Sequence, residues 1–293
     1  MSHLAIERRP DLHDPIAVVA FTGWNDAASA ATEAARFLIR RLGARQFATI
    51  DAEPFYDFRE TRPLVQLGLG GERVLNWPRN EFFYARNPNG PHDIVIGVGS
   101  EPSLRWRTFT EAHAELYRDL GVSLVVSLGA LLADVPHTRP ARVTGSAIDP
   151  EVAARLNLAA SNYEGPTGIV GVLSNALRQE GIAGASLWAN VPHYITTSSN
   201  PIATMALLGR LQELLDLKFD LRELEAASRR FVTEVNAALA LNPEIAEYVS
   251  RLEEQADNPD EEAPEIQGDL PESGEVILDV EAFLRRQRDE RDF

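Results

Sequence analysis

The chain has 293 residues, 28 basic and 44 acidic side chains for a formal net charge of −16, and no cysteine. Disulfides, thiolate metal sites, iron–sulfur clusters and a cysteine nucleophile are therefore excluded, and so acidic a chain lacks the general basic surface that nucleic acid or an anionic membrane requires. A chain of this length buries roughly 75% of its unfolded surface, so it needs no staple and holds one large domain or one with an appendage.

Residues 1–220 read as an α/β domain. Met1 to Pro15 is polar and mixed in charge, with no apolar stretch of signal-peptide length, and no run approaches a membrane span. A soluble, cytoplasmic protein is expected. Ile16 to Phe21 is the first buried strand, followed by Phe47 to Ile50, Ile94 to Val98, Leu124 to Leu128 and Ala185 to Val191, each bounded by glycine or polar residues. Between them lie three helices. Asp26 to Arg41 is capped by Asn25 or Asp26, Arg107 to Leu120 ends at Gly121, and Thr167 to Glu180 takes Thr167 as its cap and ends at Gly181. A fourth helix has Asn200 as cap, Pro201 at its first position, and one apolar stripe of Met205, Leu208, Leu211 and Leu215. This alternation predicts a three-layer αβα sandwich, a sheet with helices on both faces.

Residues 221–254 form an all-helical appendage, with Leu221, Leu224, Phe231, Val235 and Leu239 on one face and Ile245, Val249 and Leu252 on the next helix. The stripes must cover either the α/β body or a second subunit, and exposed apolar stripes predict a homo-oligomer. Residues 255–272 carry seven carboxylates, three prolines and no basic residue, the composition of a solvated linker. Residues 273–293 then offer a short terminal helix over Glu275 to Gln287, with Val276, Val280, Phe283 and Leu284 as its apolar face.

Familiar catalytic motifs are absent. There is no Walker A pattern, and Gly68-Leu-Gly70-Gly71 lacks the third glycine of a dinucleotide fingerprint and reads as a turn. Neither Ser100 nor Ser186 has the flanking glycines of a nucleophile elbow. The six histidines show no zinc-binding spacing, so no metal and no cofactor are expected, and no residue is assigned as catalytic.

A positional argument remains, because open α/β sheets bind ligands beyond the carboxyl ends of their strands. Gly23-Trp24-Asn25-Asp26 follows the first strand and opens a helix; Gly99-Ser100-Glu101 and Arg105 follow another. Glu101 and Arg105 either orient a polar ligand or pair with each other. His137 and Arg139 follow Leu124 to Leu128 on a proline-flanked loop and combine a group that titrates near neutrality with an anion-gripping guanidinium. Glu164 and Thr167 precede a helix, and His193 follows the last strand. Each cluster also has a plain structural use as turn, cap or loop. Their common position makes these thirteen residues the candidate binding crevice.

The same stretches carry a resemblance. Gly23 to Asp26 with its alanine-rich helix, Gly99 to Pro102 followed by Arg105-Trp106, LGALLADVPHTRP at Leu128 to Pro140, YEGPTGIVGVL at Tyr163 to Leu173 and LWANVPHY at Leu187 to Tyr194 resemble, in this order, the proteasome assembly chaperone 2 family, and its actinobacterial branch in particular. The resemblance covers roughly residues 16–216. It implies a phosphorylase/hydrolase-like αβα sandwich and a non-enzymatic, protein-binding role with proteasome subunits as partners. Chaperones and activators that dock into proteasome α-ring pockets often end in hydrophobic-Tyr-any residue, whereas this chain ends Arg291-Asp292-Phe293, a departure that argues against C-terminal docking. The alternative function is a small-molecule binder or a hydrolase- or phosphorylase-type enzyme using the crevice.

Overall fold

The computed structural model of the protein describes residues 3–68, 70–87, 90–161, 163–258, 278–280 and 282. In chain order it forms β1 (Leu4–Ile6), β2 (Ile16–Thr22), a 3-10 turn (Ala27–Ser29) that leads into α1 (Ala30–Arg41), β3 (Arg45–Ile50), β4 (Leu64–Leu67), β5 (Arg73–Asn76), β6 (Asn80–Ala85) and β7 (Ile94–Ser100). There follow α2 (Trp106–Asp119), β8 (Leu124–Ala133), β9 (Val143–Ala147), α3 (Pro150–Arg155), β10 (Ala159–Ala160), α4 (Ile169–Gln179) and β11 (Ala183–Pro192). The last elements are β12 (Ile195–Thr196), α5 (Pro201–Leu215), α6 (Arg222–Leu239), α7 (Pro243–Asp257) and β13 (Leu278–Asp279).

Nine strands make one mixed sheet in the order β1-β3-β6-β7-β2-β8-β11-β9-β10. Its centre, β7-β2-β8-β11, is wholly parallel. Strands buried on both faces read as unbroken apolar runs, and β2 shows how one run serves two cores. Ile16, Val18 and Ala20 face a core built with α1, α3 and α5, while Ala17, Val19 and Phe21 face a second core built with α2 and α4. That is the expected three-layer sandwich. Because β7 and β8 flank β2, the chain crosses from one side of the sheet to the other at β2.

The five expected strands and four expected helices are present, several of them longer than the sequence pattern suggests. The first expected helix differs most: Ala28 and Ser29 take left-handed backbone angles (φ 48° and 52°), so α1 proper starts at Ala30. On α5 the Asn200 cap and Pro201 stand as expected, with Asn200 Oδ1 accepting from the amides of Ile202 (3.1 Å) and Ala203 (3.0 Å). Leu207 rather than Met205 joins Leu208, Leu211 and Leu215 in the core. Gly68, Gly70 and Gly71 belong to the connection of the β4–β5 hairpin, closed by a bond from the Gly68 amide to the Glu72 carbonyl (2.8 Å).

The appendage stripes cover the chain's own body. Phe231, Val235, Leu239, Ile245, Val249 and Leu252 are buried in a third core with Tyr194, Ile195 and Ile202. The expectation of a homo-oligomer based on free helical stripes therefore loses its basis. Helix α7 runs to Asp257, so the first residues assigned to the linker are helical, and Leu278–Asp279 is a strand paired parallel with Ile195–Thr196, not part of a helix. Leu278 and Val280 are buried in the third core. Val280 and Ala282 are helical, as expected of the terminal helix, whereas the rest of the expected linker from 259 onward, and Val276, Phe283 and Leu284, lie outside the described residues.

Candidate functional site

The carboxyl ends of β7, β2, β8 and β11 open on one edge of the sheet, and two polar constellations stand there. The first joins the turn after β2 to the turn after β7 and to the start of α4. Asn25, buried, donates from Nδ2 to Glu101 Oε1 (3.1 Å), and the same carboxylate oxygen accepts the Ile169 amide (2.9 Å). Glu101 thus takes one of the orphan amides of α4, which its own N-cap, Gly168, has no side chain to satisfy. Thr167, expected as the cap, makes no side-chain cap bond and is exposed.

Two glycines make the approach possible. A Cβ on Gly168 would run into the Asn25 amide group, and a Cβ on Gly23, whose φ of 129° already disfavours other residues, would meet the Glu101 side chain at 3.1 Å. Asn25 is further fixed by its carbonyl, which accepts the Ala130 amide (2.8 Å). The expected Glu101–Arg105 pair is absent. Arg105 sits at the N-cap of α2 with a left-handed backbone (φ 54°), exposed, and its side chain has no hydrogen-bond or ion-pair partner among the described residues.

Asp26 is the true cap of α1. Reaching across the kink, its Oδ1 accepts the Ala31 amide (2.7 Å) and its Oδ2 accepts the Thr32 hydroxyl (2.5 Å). Burial pushes its carboxyl above the usual carboxylate range, partly offset by these bonds. Ser100 closes β7: its hydroxyl accepts from Thr22 (3.1 Å), and its carbonyl accepts from Tyr56 (2.6 Å) and Asn80 (3.1 Å). Gly99 lies opposite Asn80 in β6. Glu164 is exposed.

The second constellation belongs to the loop after β8 and is turned inward. Tyr194 Oη accepts the His137 amide (2.9 Å) and lies 2.8 Å from His137 Nδ1, while His137 Nε2 lies 3.0 Å from Asn236 Oδ1. The partners assign the tautomer: the tyrosine hydroxyl donates to Nδ1, and Nε2–H donates to the asparagine of α6. Burial lowers the pKa of His137, which favours this neutral form. Both ring nitrogens are consumed inside the protein, so His137 offers none to a ligand. Thr138 donates to Glu253, and Arg139 grips Asp257 with two bonds of 2.9 and 2.7 Å. Asp134 accepts from Tyr248 Oη (2.7 Å) and lies 3.1 Å from His193 Nδ1. The loop is a clamp that seats α6 and α7 on the body. No hydrogen bond or ion pair among the described residues joins it to the Asn25–Glu101 constellation.

Besides Arg105 and Thr167, this edge shows large apolar side chains to solvent. Trp24 is 74% exposed, and Leu104, Leu131 and Leu132 are exposed at the same end of the strands; Tyr163, 66% exposed, follows β10, which ends beside the start of β11. The sequence motifs contain Trp24 and Tyr163, yet nothing in a pattern of residues separates an exposed aromatic from a buried one. Asn236, Tyr248, Glu253 and Asp257 were equally invisible as partners, since they lie about a hundred residues from the loop they hold. A cleft of about 170 Å³ opens instead at the amino end of β11, lined by residues that include Asp149, Arg155, Ser174 and Arg178 and none of the thirteen crevice residues. Among the described residues no group of His, Asp and Glu side chains is arranged to hold a metal ion, and no helix is long and apolar enough to cross a membrane.

A parallel-centred sheet between two helical layers, with structural polar nodes at its carboxyl edge, defines an α/β sandwich whose edge residues brace the fold. The PAC2 family model matches residues 20–239, and the chain belongs to that family. A PAC2 family protein from Streptomyces avermitilis is 46% identical, covering 80% of this chain and 100% of its own, with a TM-score of 0.75. A proteasome-assembly chaperone homologue from Mycobacterium tuberculosis is 41% identical over 80% of this chain and 99% of its own, with a TM-score of 0.72. An archaeal proteasome activator from Pyrococcus furiosus shares the fold at a TM-score of 0.66 and 18% identity, covering 81% of this chain and 99% of its own. No curated protein matches the chain.

Proposed function

We propose that this protein is a cytoplasmic, non-enzymatic chaperone-like scaffold that binds proteasome subunits through the carboxyl edge of its sheet. The observation that carries the reading is the exposure of Trp24, Leu104, Leu131 and Leu132 at that edge. Exposed aromatics beside aliphatic side chains are the composition of protein-interface centres. The polar residues beneath are spent on the fold: Glu101 and Asn25 on the start of α4, and Asp26 on the start of α1. The 41% identity to a proteasome-assembly chaperone homologue supports proteasome subunits as the class of partner.

The test is native mass spectrometry of the protein mixed with the α- and β-subunits of its own organism's proteasome. A saturable complex is expected at micromolar concentration, and Trp24→Asp should weaken it about tenfold or more. No complex with either free subunits or assembly intermediates would refute the reading.

A further inference from the structure

The cleft of about 170 Å³ at the amino end of β11 lies at the opposite end of the parallel strands from Trp24. It forms where α3 and the residues leading into it approach α4 and the turn that joins α4 to β11. Each side contributes a guanidinium, Arg155 from α3 and Arg178 from α4. Among the described residues Arg155 has no hydrogen-bond or ion-pair partner, and Arg178 has only the Asn175 amide oxygen (3.1 Å) on its own helix. Asp149 lines the same cleft without pairing with either arginine; its Oδ1 caps α3 by accepting the Glu151 amide (2.8 Å). The apolar part of the lining is aliphatic, with Val152 and Ile182 buried and Ile148 45% exposed.

Two guanidiniums in one concavity repel each other, and here neither is neutralised by an acid although the chain carries 44 acidic side chains. The planar fork of arginine matches an oxyanion, so the pair suits an anion held between the two helices. The rest of the lining narrows the class. An inorganic anion has no use for three aliphatic side chains, and the cleft is smaller than the roughly 300 Å³ at which drug-sized ligand pockets begin, too small for a nucleotide. Asp149 Oδ2, which has no hydrogen bond among the described residues, repels a dianion but accepts from an N–H. A carboxylate with an N–H close by and an aliphatic body is the α-carboxylate end of an amino-acid residue. Charge separates its two sources. Arg155, Arg178 and Asp149 sum to one positive charge. The last residue of a polypeptide brings one negative charge and balances it, whereas a zwitterionic free amino acid brings no net charge and leaves the excess.

We propose that this cleft is a receptor for the carboxyl-terminal residue of a polypeptide: Arg155 and Arg178 take the carboxylate, Asp149 takes the peptide N–H, and an aliphatic side chain lies against Val152, Ile182 and Ile148. The proposal does not rest on the proteasome reading, because the cleft and the carboxyl edge are at opposite ends of the strands. N-Acetyl-leucine is the smallest probe that carries all three features. Titrated into the full chain, it should shift the NMR amide signals of Gly181 and Gly184 saturably, with a Kd near 1 mM, about what a ligand of one residue can reach. N-Acetyl-leucinamide, which lacks the carboxylate, should bind about tenfold or more weakly, and free leucine and inorganic phosphate should also bind more weakly. The double variant Arg155→Gln with Arg178→Gln should abolish the saturable shift, while its melting temperature stays near the wild type because both side chains are exposed. Trp24→Asp should leave the titration unchanged, which keeps failure here distinct from failure of the proteasome reading. No saturable shift up to about 20 mM, or binding that survives the double substitution in a folded protein, would overturn the proposal. So would equal affinity for the amide, which removes the carboxylate from recognition, or for phosphate, which reduces the cleft to an anion hole. Free leucine binding as tightly as its acetylated form would make the occupant a free amino acid and not a chain terminus.

Discussion

The α6–α7 appendage and the β4–β5 arm both lie outside the central sheet, and they solve the same problem in opposite ways. The appendage is amphipathic, and its apolar face is covered by Tyr194, Ile195 and Ile202 of its own chain. Around that contact runs a polar ring in which His137, Thr138 and Arg139 each reach a residue of α6 or α7. Among the described residues the arm has no comparable cover. Phe58 stacks against Trp77 at its base, while the leucines and valines described in the ribbon are exposed. Helical periodicity on a sequence marks an apolar face but not its partner. Here the segment with the stronger periodic signal is the one whose needs are met within the chain.

The sharpest way to break the contrast is to unseat the appendage. Val235 is fully buried in the third core, and Val235→Asp would place an unpaired carboxylate there at a cost of about 3 to 5 kcal/mol. Residues 222–257 should become sensitive to limited proteolysis, while the α/β body retains its melting transition at a lowered temperature. Loss of all structure in one step would show that appendage and body form a single cooperative unit.

A smaller cut tests the clamp alone. Tyr194→Phe keeps the ring in place but removes the hydroxyl that accepts the His137 amide and donates to its Nδ1. Two buried polar atoms then lose their partner, which costs about 1 to 3 kcal/mol. Chemical denaturation should show the midpoint falling with the denaturant slope unchanged. The exposed Arg139–Asp257 pair, by contrast, contributes about 0 to 1 kcal/mol, so Arg139→Ala should change stability by no more than that.

The legibility of this molecule follows the range of its interactions. The central strands were readable because burial on both faces leaves runs such as Ile16 to Phe21, and the Asn200-Pro201 start of α5 because a cap acts within three residues. The remaining strands were not. β6 alternates half-buried with buried residues, β9 and β10 are short, and β4 and β5 are exposed throughout their apolar positions. At the carboxyl edge the polar clusters stand where the strand order puts them, but their partners could not be read. Sequence proximity offers Glu101 the guanidinium of Arg105, four residues away, yet it meets Asn25 and Ile169 instead. His137 and Arg139 suggested acid–base chemistry by composition, and only the fold shows that α6 and α7 occupy them.

The smallest effect concerns pH, and its source is a histidine outside every motif. His113 of α2 is buried among Phe21, Phe82, Phe109 and Tyr117, with ring centroids 4.6 to 6.2 Å away. Its Nδ1–H donates to the Phe109 carbonyl (2.9 Å). Burial pushes its pKa down to about 4, against about 6.5 in the unfolded chain. Between these values the unfolded chain binds the extra proton, so stability is full above about 6.5 and falls as the pH drops toward 4. His137, also depressed by burial, acts in the same direction, because a protonated Nδ1 no longer accepts from Tyr194. One pH unit within the window is worth about 1 kcal/mol for a single such histidine. His113→Phe keeps an aromatic ring in the nest and removes the titration. Denaturation midpoints compared at pH 6.5 and 5.5 should fall for the wild type and fall less for the variant. Equal slopes would mean that His113 takes up its proton without leaving the core, and that the acid sensitivity belongs to the clamp at His137.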